Sequence, residues 1–385
     1  MSNLYIGLIS GTSIDAVDAA LLDFNDNRMS VVATHAEPIP VNLKNTLHAL
    51  CNSELGASKQ ELGQHSAIET AAHADIHVAE LFAQTANTLL AIAKISSKDL
   101  AAIGSHGQTI RHRPPSDGNN GFSLQIGDPN TIAALTGITT VADFRRSDMA
   151  LGGQGAPLAP LFHQAIAPQE NKSCAFLNLG GIANLSCLTD GKLIAGFDTG
   201  PANGLMDAWI RDSIANDYDK NGEWALSGKA NPILLTRLLK DPYFLLAAPK
   251  STGREYFSLD WIKQHLASTE IAALNLSAAD VQATLLELSV ETIVNSTQQQ
   301  TTNPEIVYAC GGGVHNKVLM DKLNDSYRSI GIRLETTSSL AVDPDFVEAA
   351  LFAWLAKQRI EERILNIKSV TGASRNHLAG GIYLA

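Results

Sequence analysis

The sequence predicts a two-lobed α/β protein built on a repeated β-strand core. The chain has 385 residues, more than a single hydrophobic core serves. Residues 3–36 read as strand, glycine corner, strand, turn and strand, and residues 173–198 repeat that order about 170 residues later with little identity. Helical sequence follows each copy.

Bulk composition narrows the class. Hydrophobic residues make up 45% and charged residues 17%, as in compact globular proteins and unlike disordered or coiled-coil chains. The formal charge of −11, with no basic cluster, argues against a nucleic-acid partner. Cys51, Cys174, Cys187 and Cys310 lie far apart with no metal-ligand spacing, three of them in apolar strand-like runs, and read as buried free thiols. The chain enters a strand with no charged leader, and no apolar run approaches a membrane span. A cytoplasmic protein that binds no membrane is expected.

Taken in order, the first unit places strands at Leu4–Ile9, Ala16–Phe24 and Met29–His35, with Asn25-Asp26-Asn27 as a polar turn. Ser58 and Glu61 form a capping-box pattern ahead of a helix reaching about Ala93. A strand at Ala101–Gly104 follows, bearing Ser105, His106, Gln108 and Thr109 at its C-terminal end, where open α/β sheets bind ligands. After an exposed loop to Gly121, a strand (Phe122–Ile126) leads to Asp128-Pro129-Asn130, a helix start, and that helix ends near Gly137. The strand ITTVADF delivers Asp143, Arg145, Arg146 and Asp148, and LGGQGAPLAP reads as a crossover between lobes.

The second unit has strands at Cys174–Asn178, Ala183–Leu188 and Leu193–Phe197, and the third ends on Asp198. Gly200-Pro201 opens a helix with Asn203, Asp207 and Trp209, and residues 215–300 are mostly helical, including a helix opened by Ser277 and Asp280. A strand at Ile306–Ala309 then meets three glycines and a helix from about Asn316. A short strand (Ile332–Glu335) precedes a helix capped by Asp343-Pro344 and carrying Glu348 and Trp354.

Three glycine corners follow strands: Gly11-Thr12-Ser13, Gly180-Gly181 and Gly311-Gly312-Gly313. Such corners offer unobstructed backbone N–H groups to a phosphate, although each alone also suits a plain turn. None matches a P-loop or a dinucleotide fingerprint. Two on matching units and a third feeding a helix point to a nucleotide held between two lobes, with the third corner against the adenosine. Asp198 suits taking a proton from an attacking nucleophile or holding Mg²⁺ indirectly, and equally suits forming a turn. Asp15 and Asp18 flank the first corner, within reach of a metal shell or of solvent. Ser105, His106, Gln108 and Thr109 suit the directional hydrogen bonds of a sugar, or a capped turn. Arg145 and Arg146 with Asp143 and Asp148 suit an anionic substituent or an internal ion-pair cluster. A buried Glu348 would be costly unless paired or used.

In order along nearly the whole chain, the stretches SGTSIDAVDA, SHGQT, DFRRSDMALGGQGAPLAP, NLGGIANLS, FDTGPANGLMD, STGREYF, CGGGVHN and DFVEAALFAWLA resemble the anhydro-N-acetylmuramic acid kinase family. This chain has Ala16 and Ala202 where the family pattern usually has glycine. The resemblance implies a two-lobed actin/hexokinase/Hsp70-like (ribonuclease H-like) fold with duplicated mixed β-sheet cores and an interlobe cleft. It also implies ATP and Mg²⁺ as cofactors, a 1,6-anhydro amino sugar as substrate, and a homodimer. Residues Gly11, Thr12, Ser13, Ile14, Asp15, Ala16, Val17 and Asp18 would form the ATP phosphate loop, joined by Gly180, Gly181 and Asn184. Asp198 would be the base that activates water, with Glu348 a substrate ligand. No direct protein ligand to the metal is expected. The expected lobes are 1–145 with about 360–385, and 146–359.

Overall fold

A computed structural model of the chain describes residues 2–25, 29–52, 66–115, 119–168, 173–248, 250–253, 255–300 and 303–385. The first strands are β1 (Leu4–Ser10), β2 (Ala16–Asp23) and β3 (Ser30–Pro38), followed by helices α1 (Val41–Asn52) and α2 (Ala67–Ala93). Then come β4 (Leu100–Arg113), β5 (Phe122–Ile126), α3 (Pro129–Thr136), β6 (Thr140–Ala142), α4 (Phe144–Met149) and α5 (Ala159–Ile166). The second set of strands is β7 (Ser173–Leu179), β8 (Ile182–Thr189) and β9 (Lys192–Pro201), followed by α6 (Asn203–Ile214). Short helices α7 (Glu223–Ser227), α8 (Pro232–Leu238), α9 (Leu259–Leu266) and α10 (Thr269–Ala272) lead to the long α11 (Ala278–Gln298). The chain closes through β10 (Ile306–Cys310), α12 (Lys317–Ser329), β11 (Arg333–Thr336), α13 (Val347–Ile360), α14 (Lys368–Thr371) and β12 (Gly381–Tyr383).

Two sheets share one plan. The first runs β3-β2-β1-β4-β6-β12, with β5 paired to β4, and the second runs β9-β8-β7-β10-β11. In each, the central strand is antiparallel to its hairpin partner and parallel to the strand on its other side. The expected α/β class with duplicated mixed sheets is borne out. The side-chain periods agree: β2 and β8 bury the same five of eight positions, Val17, Ala19, Ala20, Leu21 and Leu22 in one, Ala183, Leu185, Ser186, Cys187 and Leu188 in the other. Burial of several consecutive residues marks strands covered on both faces.

The compact units are Met1–Phe162 with Phe346–Ala385, and His163–Asp345. Residues 146–162 and 346–359 therefore pack with the first unit, unlike the expected division. For residues 346–359 the cause is local to α13. Gly7 in β1 and Gly104 in β4 carry no Cβ, and one there would stand 1.8 Å from the Ala349 carbonyl oxygen and 2.0 Å from that of Phe352. The two glycines let the backbone of α13 settle onto the sheet.

Other expectations shift for equally local reasons. α2 opens at Ala67 through a capping box of Ser66 and Glu69. The pattern at Ser58 and Glu61, like most of the Asn25–Asn27 turn, lies outside the described residues, and α1 was not foreseen. The strand expected at Ala101–Gly104 continues to Arg113, because residues 108–113 pair with β5 across a register shift near Thr109 and Arg111. Ser105 to Thr109 are therefore interior strand residues that alternate between the two faces. Beyond the short β6, Asp143 turns the chain with φ +60°, so Arg145 and Arg146 lie on α4. Gly200 and Pro201 belong to β9, and α6 begins at Asn203.

Candidate active site

The first corner is a five-residue link between Ser10 and Ala16. Ile14 N–H donates to the Gly11 carbonyl at 3.2 Å, closing a turn. Ile14 has φ +57° and is 2% exposed. A β-branched residue in the left-handed region is strained, and such strain persists only where the surroundings hold it. Here the buried Ile14 side chain anchors the turn, and Thr12 and Ser13 remain exposed above it. A Cβ on Gly11 would meet nothing within 4 Å. The corner is also held from below. Gln108, 1% exposed, accepts from the Ser10 hydroxyl at 2.5 Å and donates to the Gly11 carbonyl at 3.4 Å. Asp15 takes an ion pair from Lys44 at 2.6 Å, and Asp18 sits in β2 opposite Ile9 and Ala36. Val17 points into the core.

The second corner is two residues long, Gly180 and Gly181, and its carbonyls are occupied. Ala202 and Gly204 N–H groups both donate to Gly181 at 3.0 Å, and Asn203 N–H donates to Gly180 at 3.1 Å. The Asn203 amide also donates to the Leu179 and Gly180 carbonyls. The third corner packs against the same place. Gly311, with φ +82°, leaves no room for a Cβ beside Asn178 Oδ1, 2.4 Å away, and a Cβ on Gly313 would lie 2.6 Å from Leu179 Cβ. Gly312, between them, faces open space. The structure thus joins Gly180, Gly181 and Gly311–Gly313 around α6. Asn203 was noted in the sequence, but its part in tying the corner was not legible there.

Asp198 lies in β9 directly across from Asn184 in β8, beside a β-bulge. Its Oδ2 accepts hydrogen bonds from Ser251 Oγ at 3.1 Å and Thr252 N–H at 3.0 Å. Burial raises its carboxyl above the usual carboxylate range, and these two bonds partly oppose the rise. The Tyr243 hydroxyl donates to the Asp198 carbonyl at 2.7 Å. Burial and the Asp198 charge push that phenol up. Lys250 lies 4.8 Å from the centre of the Tyr243 ring, its ammonium made more acidic by burial. Sequence reading missed Ser251, Thr252 and Tyr243 as partners of Asp198, and only the STGREYF stretch hinted at two of them.

In the first unit, His106, Arg145 and Glu348 come together. Arg145 Nε–H donates to His106 Nε2 at 2.9 Å and Nη1–H to the Gly155 carbonyl at 2.9 Å. Because the guanidinium only donates, Nε2 must carry a lone pair, so Nδ1 holds the proton that reaches the Gly107 carbonyl at 3.0 Å. His106 is a neutral imidazole of fixed tautomer, with its pKa held well down by burial and by Arg145. The Glu348 carboxyl is pushed up by the surrounding protein and drawn back by Arg145, although the residue still presents an exposed surface.

The remaining polar residues divide. Thr109 accepts from the Gln125 amide at 3.0 Å. Ser105 is 1% exposed and its hydroxyl has no hydrogen-bond partner among the described residues. The Arg145–Asp148 group splits. Arg146 pairs with Asp143 at 3.1 Å. Asp148, fully buried, accepts from Gly155 N–H at 2.7 Å and from the Thr371 hydroxyl at 2.6 Å. Asp148 is thereby a holder of the 151–155 loop.

A family model described as anhydro-N-acetylmuramic acid kinase matches residues 3–385. A protein of that name from Coxiella burnetii (strain RSA 493 / Nine Mile phase I) is 47% identical over 381 residues, covering 98% of this chain and 97% of the relative. Another from Shewanella pealeana is 46% identical over 385 residues, covering 100% and 99%. Among solved structures, component A of (R)-2-hydroxyglutaryl-CoA dehydratase from Acidaminococcus fermentans matches with a TM-score of 0.46 and 11% identity, over 92% of this chain and 98% of that one. A ROK family glucokinase from Streptomyces griseus, in complex with glucose and AMPPNP, matches with a TM-score of 0.40 and 14% identity, over 92% and 99%.

Proposed function

The chain belongs to the anhydro-N-acetylmuramic acid kinase family, and on that premise we propose that it is a kinase of that sugar. With ATP and water it opens the 1,6-anhydro ring of 1,6-anhydro-N-acetylmuramic acid and phosphorylates O6. The products are N-acetylmuramic acid 6-phosphate and ADP.

The half-buried Asp198, with its raised carboxyl, carries the assignment of the base. Asp198 takes a proton from water as the water oxygen bonds to the anomeric carbon. The bond from that carbon to O6 breaks, its electron pair stays on O6, and O6 attacks the γ-phosphorus as ADP leaves. One base thus serves both bond changes. Residues Gly11 to Asp18, with Gly180, Gly181 and Asn184, are assigned to the ATP phosphates, and Gly311–Gly313 to the adenosine side. The open space at Gly11 and Gly312 supports close approach by a ligand. His106 and Arg145 with Glu348 are assigned to the sugar, supported by a fixed imidazole tautomer and a held guanidinium. Ser105, Gln108 and Thr109 then act behind the site, through strand and corner geometry.

Magnesium would neutralise charge on the transferring phosphoryl group. No group of three or more His, Cys, Asp or Glu suited to a metal stands together among the described residues. No helix among the described residues is long and apolar enough to cross a membrane. A cytoplasmic homodimer without nucleic-acid or membrane partners completes the reading, and equilibrium sedimentation checks the dimer.

The deciding experiment incubates the protein with ATP and the anhydro sugar in ¹⁸O-labelled water and identifies the products by mass. The label is expected at the anomeric position of a sugar 6-phosphate. Label in inorganic phosphate instead, with sugar-independent ADP release, would sink the reading.

A further inference from the structure

The two carboxylate oxygens of Asp198 stand in different circumstances. Oδ2 accepts from Ser251 Oγ and from Thr252 N–H, while Oδ1 accepts no hydrogen bond among the described residues. The backbone of the same residue is tied on both sides: its N–H donates to the Lys250 carbonyl at 3.0 Å, and its carbonyl accepts from the Tyr243 hydroxyl. Two residues on, Gly200 has φ +150°, and a Cβ there would stand 2.7 Å from Phe244 Cε1. Tyr243 and Phe244 therefore grip β9 at Asp198 and Gly200, and Ser251 and Thr252 grip the carboxylate. The grip on Tyr243 is itself braced, since Tyr256 and Trp261 donate to Asp241, which caps the turn that begins with Pro242.

A loop fastened to a strand for stability alone needs only a satisfied carboxylate. This fastening instead uses one oxygen twice and leaves the other without a hydrogen bond among the described residues, which is what a base with a single working oxygen requires. We propose that Ser251 is a positioning residue for the reaction assigned above: with Thr252 N–H it fixes Oδ2, so that Oδ1 receives the proton from the attacking water. The inference rests on the proposed kinase reading for its reaction, but the orientation of Asp198 can be measured without turnover. In the step itself the water O–H bond breaks and its proton passes to Oδ1. The water oxygen bonds to the anomeric carbon, and the electron pair of the broken bond remains on O6.

Among the described residues, the Tyr243 phenol feels the Asp198 charge and the Lys250 carbonyl accepts from the Asp198 N–H, and the donors to its carboxylate are neutral. Losing a donor to a carboxylate disfavours the charged form, so the Asp198 titration must move up. Ser251 is exposed, and its substitution leaves the core untouched. The test uses the full chain labelled with ¹³C-aspartate, the Asp198 carboxyl signal being assigned by its loss in Asp198→Asn. Ser251→Ala should raise the Asp198 titration midpoint by about half to one pH unit and carry the acid limb of the kcat/KM profile with it. In the same variant kcat should fall roughly tenfold, with KM for the sugar within about twofold. Ser251→Thr, which keeps the hydroxyl, should restore both. An unmoved midpoint in Ser251→Ala overturns the proposal, as does a normal kcat in a variant whose midpoint has moved. If the wild type shows no sugar-dependent turnover, the kinase reading fails while the NMR midpoint still decides whether Ser251 holds Asp198.

Discussion

The central strands of the two sheets occupy equivalent places and are built oppositely. Gly7 and Gly104, side by side in β1 and β4, admit the backbone of α13. Counted along the strands, their counterparts are Phe176 and Tyr308, whose rings lie 5.3 Å apart, with His163 stacked on Phe176 at 4.6 Å. One sheet is thin at its centre and covered by a helix, and the other fills the same layer with rings. The chemistry diverges in the same way. Asp18 in β2 stands where Asn184 stands in β8, and opposite them are Ala36 in β3 and Asp198 in β9. The corners differ too, the first anchored by a strained Ile14 beneath exposed hydroxyls, the second bolted to α6. A repeated scaffold therefore does not mean repeated function. Only the second unit has a carboxylate at this register position of its third strand.

Removing that carboxylate should have the largest effect. Asp198→Asn keeps shape and most hydrogen bonding but cannot accept the proton, so kcat should drop by about 10³-fold or more. ATP affinity, measured by calorimetry, should stay near that of the wild type. A near-normal kcat would remove Asp198 from the mechanism and erase the proposed asymmetry between β3 and β9.

The contrast in layer thickness predicts a difference in stability. In Gly7→Ala the new methyl meets a backbone carbonyl at 1.8 Å, which cannot rotate away, and we expect a loss of about 3 kcal/mol or more. Gly180→Ala meets its nearest atom at 3.4 Å and should cost under about 1 kcal/mol. Urea denaturation of the two variants checks this. Equal losses would show that the α13 contact is not the close one described.

Each unit also buries a neutral histidine, His106 beside Arg145 and His163 against the Ser186 hydroxyl. Both folded-state pKa values are lowered, that of His163 to about 3 by burial. Below about pH 6.5 the unfolded imidazoles take up protons that the folded ones refuse. Stability therefore falls as pH drops through that window, by up to about 1.4 kcal/mol per pH unit for each histidine. For His163 the loss continues to about pH 3. Denaturation of His163→Gln at pH 5 and pH 7 should show a smaller difference than wild type. An equal difference would mean that His163 is not the buried base inferred here.

What was legible in the sequence was local. Glycine corners, the Asp128 cap with Pro129, the Ser277 and Asp280 box and the helix start near Asn316 are each set by residues within a few positions. What was not legible depends on partners far along the chain. Strand β4 owes its length to pairing with β5, and α13 reaches β1 across more than 300 residues because two glycines happen to align. The site follows the same division. Asp198, His106, Arg145 and Glu348 stood out as residue types in motifs, yet the bonds that define them join Arg145 to His106 over 39 positions and Ser251 to Asp198 over 53. No periodicity encodes such pairs.

The smallest expected effect tests the comparison at its most exact correspondence. Ser105 pairs with Leu8, and the counterpart opposite Leu177 in the second sheet is Ala309, fully buried. The Ser105 hydroxyl has lost water and gained no partner among the described residues. Such a group is a cost, commonly about 1–3 kcal/mol relative to a satisfied one. Ser105→Ala gives the first sheet the residue the second already uses, so the melting temperature should hold or rise slightly. Turnover should be unchanged, because the hydroxyl lies in the interior beside Leu8 and holds no part of the Gln108 contact to the first corner. A clear fall in kcat/KM for the sugar would return Ser105 to the substrate-binding set that the sequence suggested. It would also mean that this position has been kept polar for a ligand.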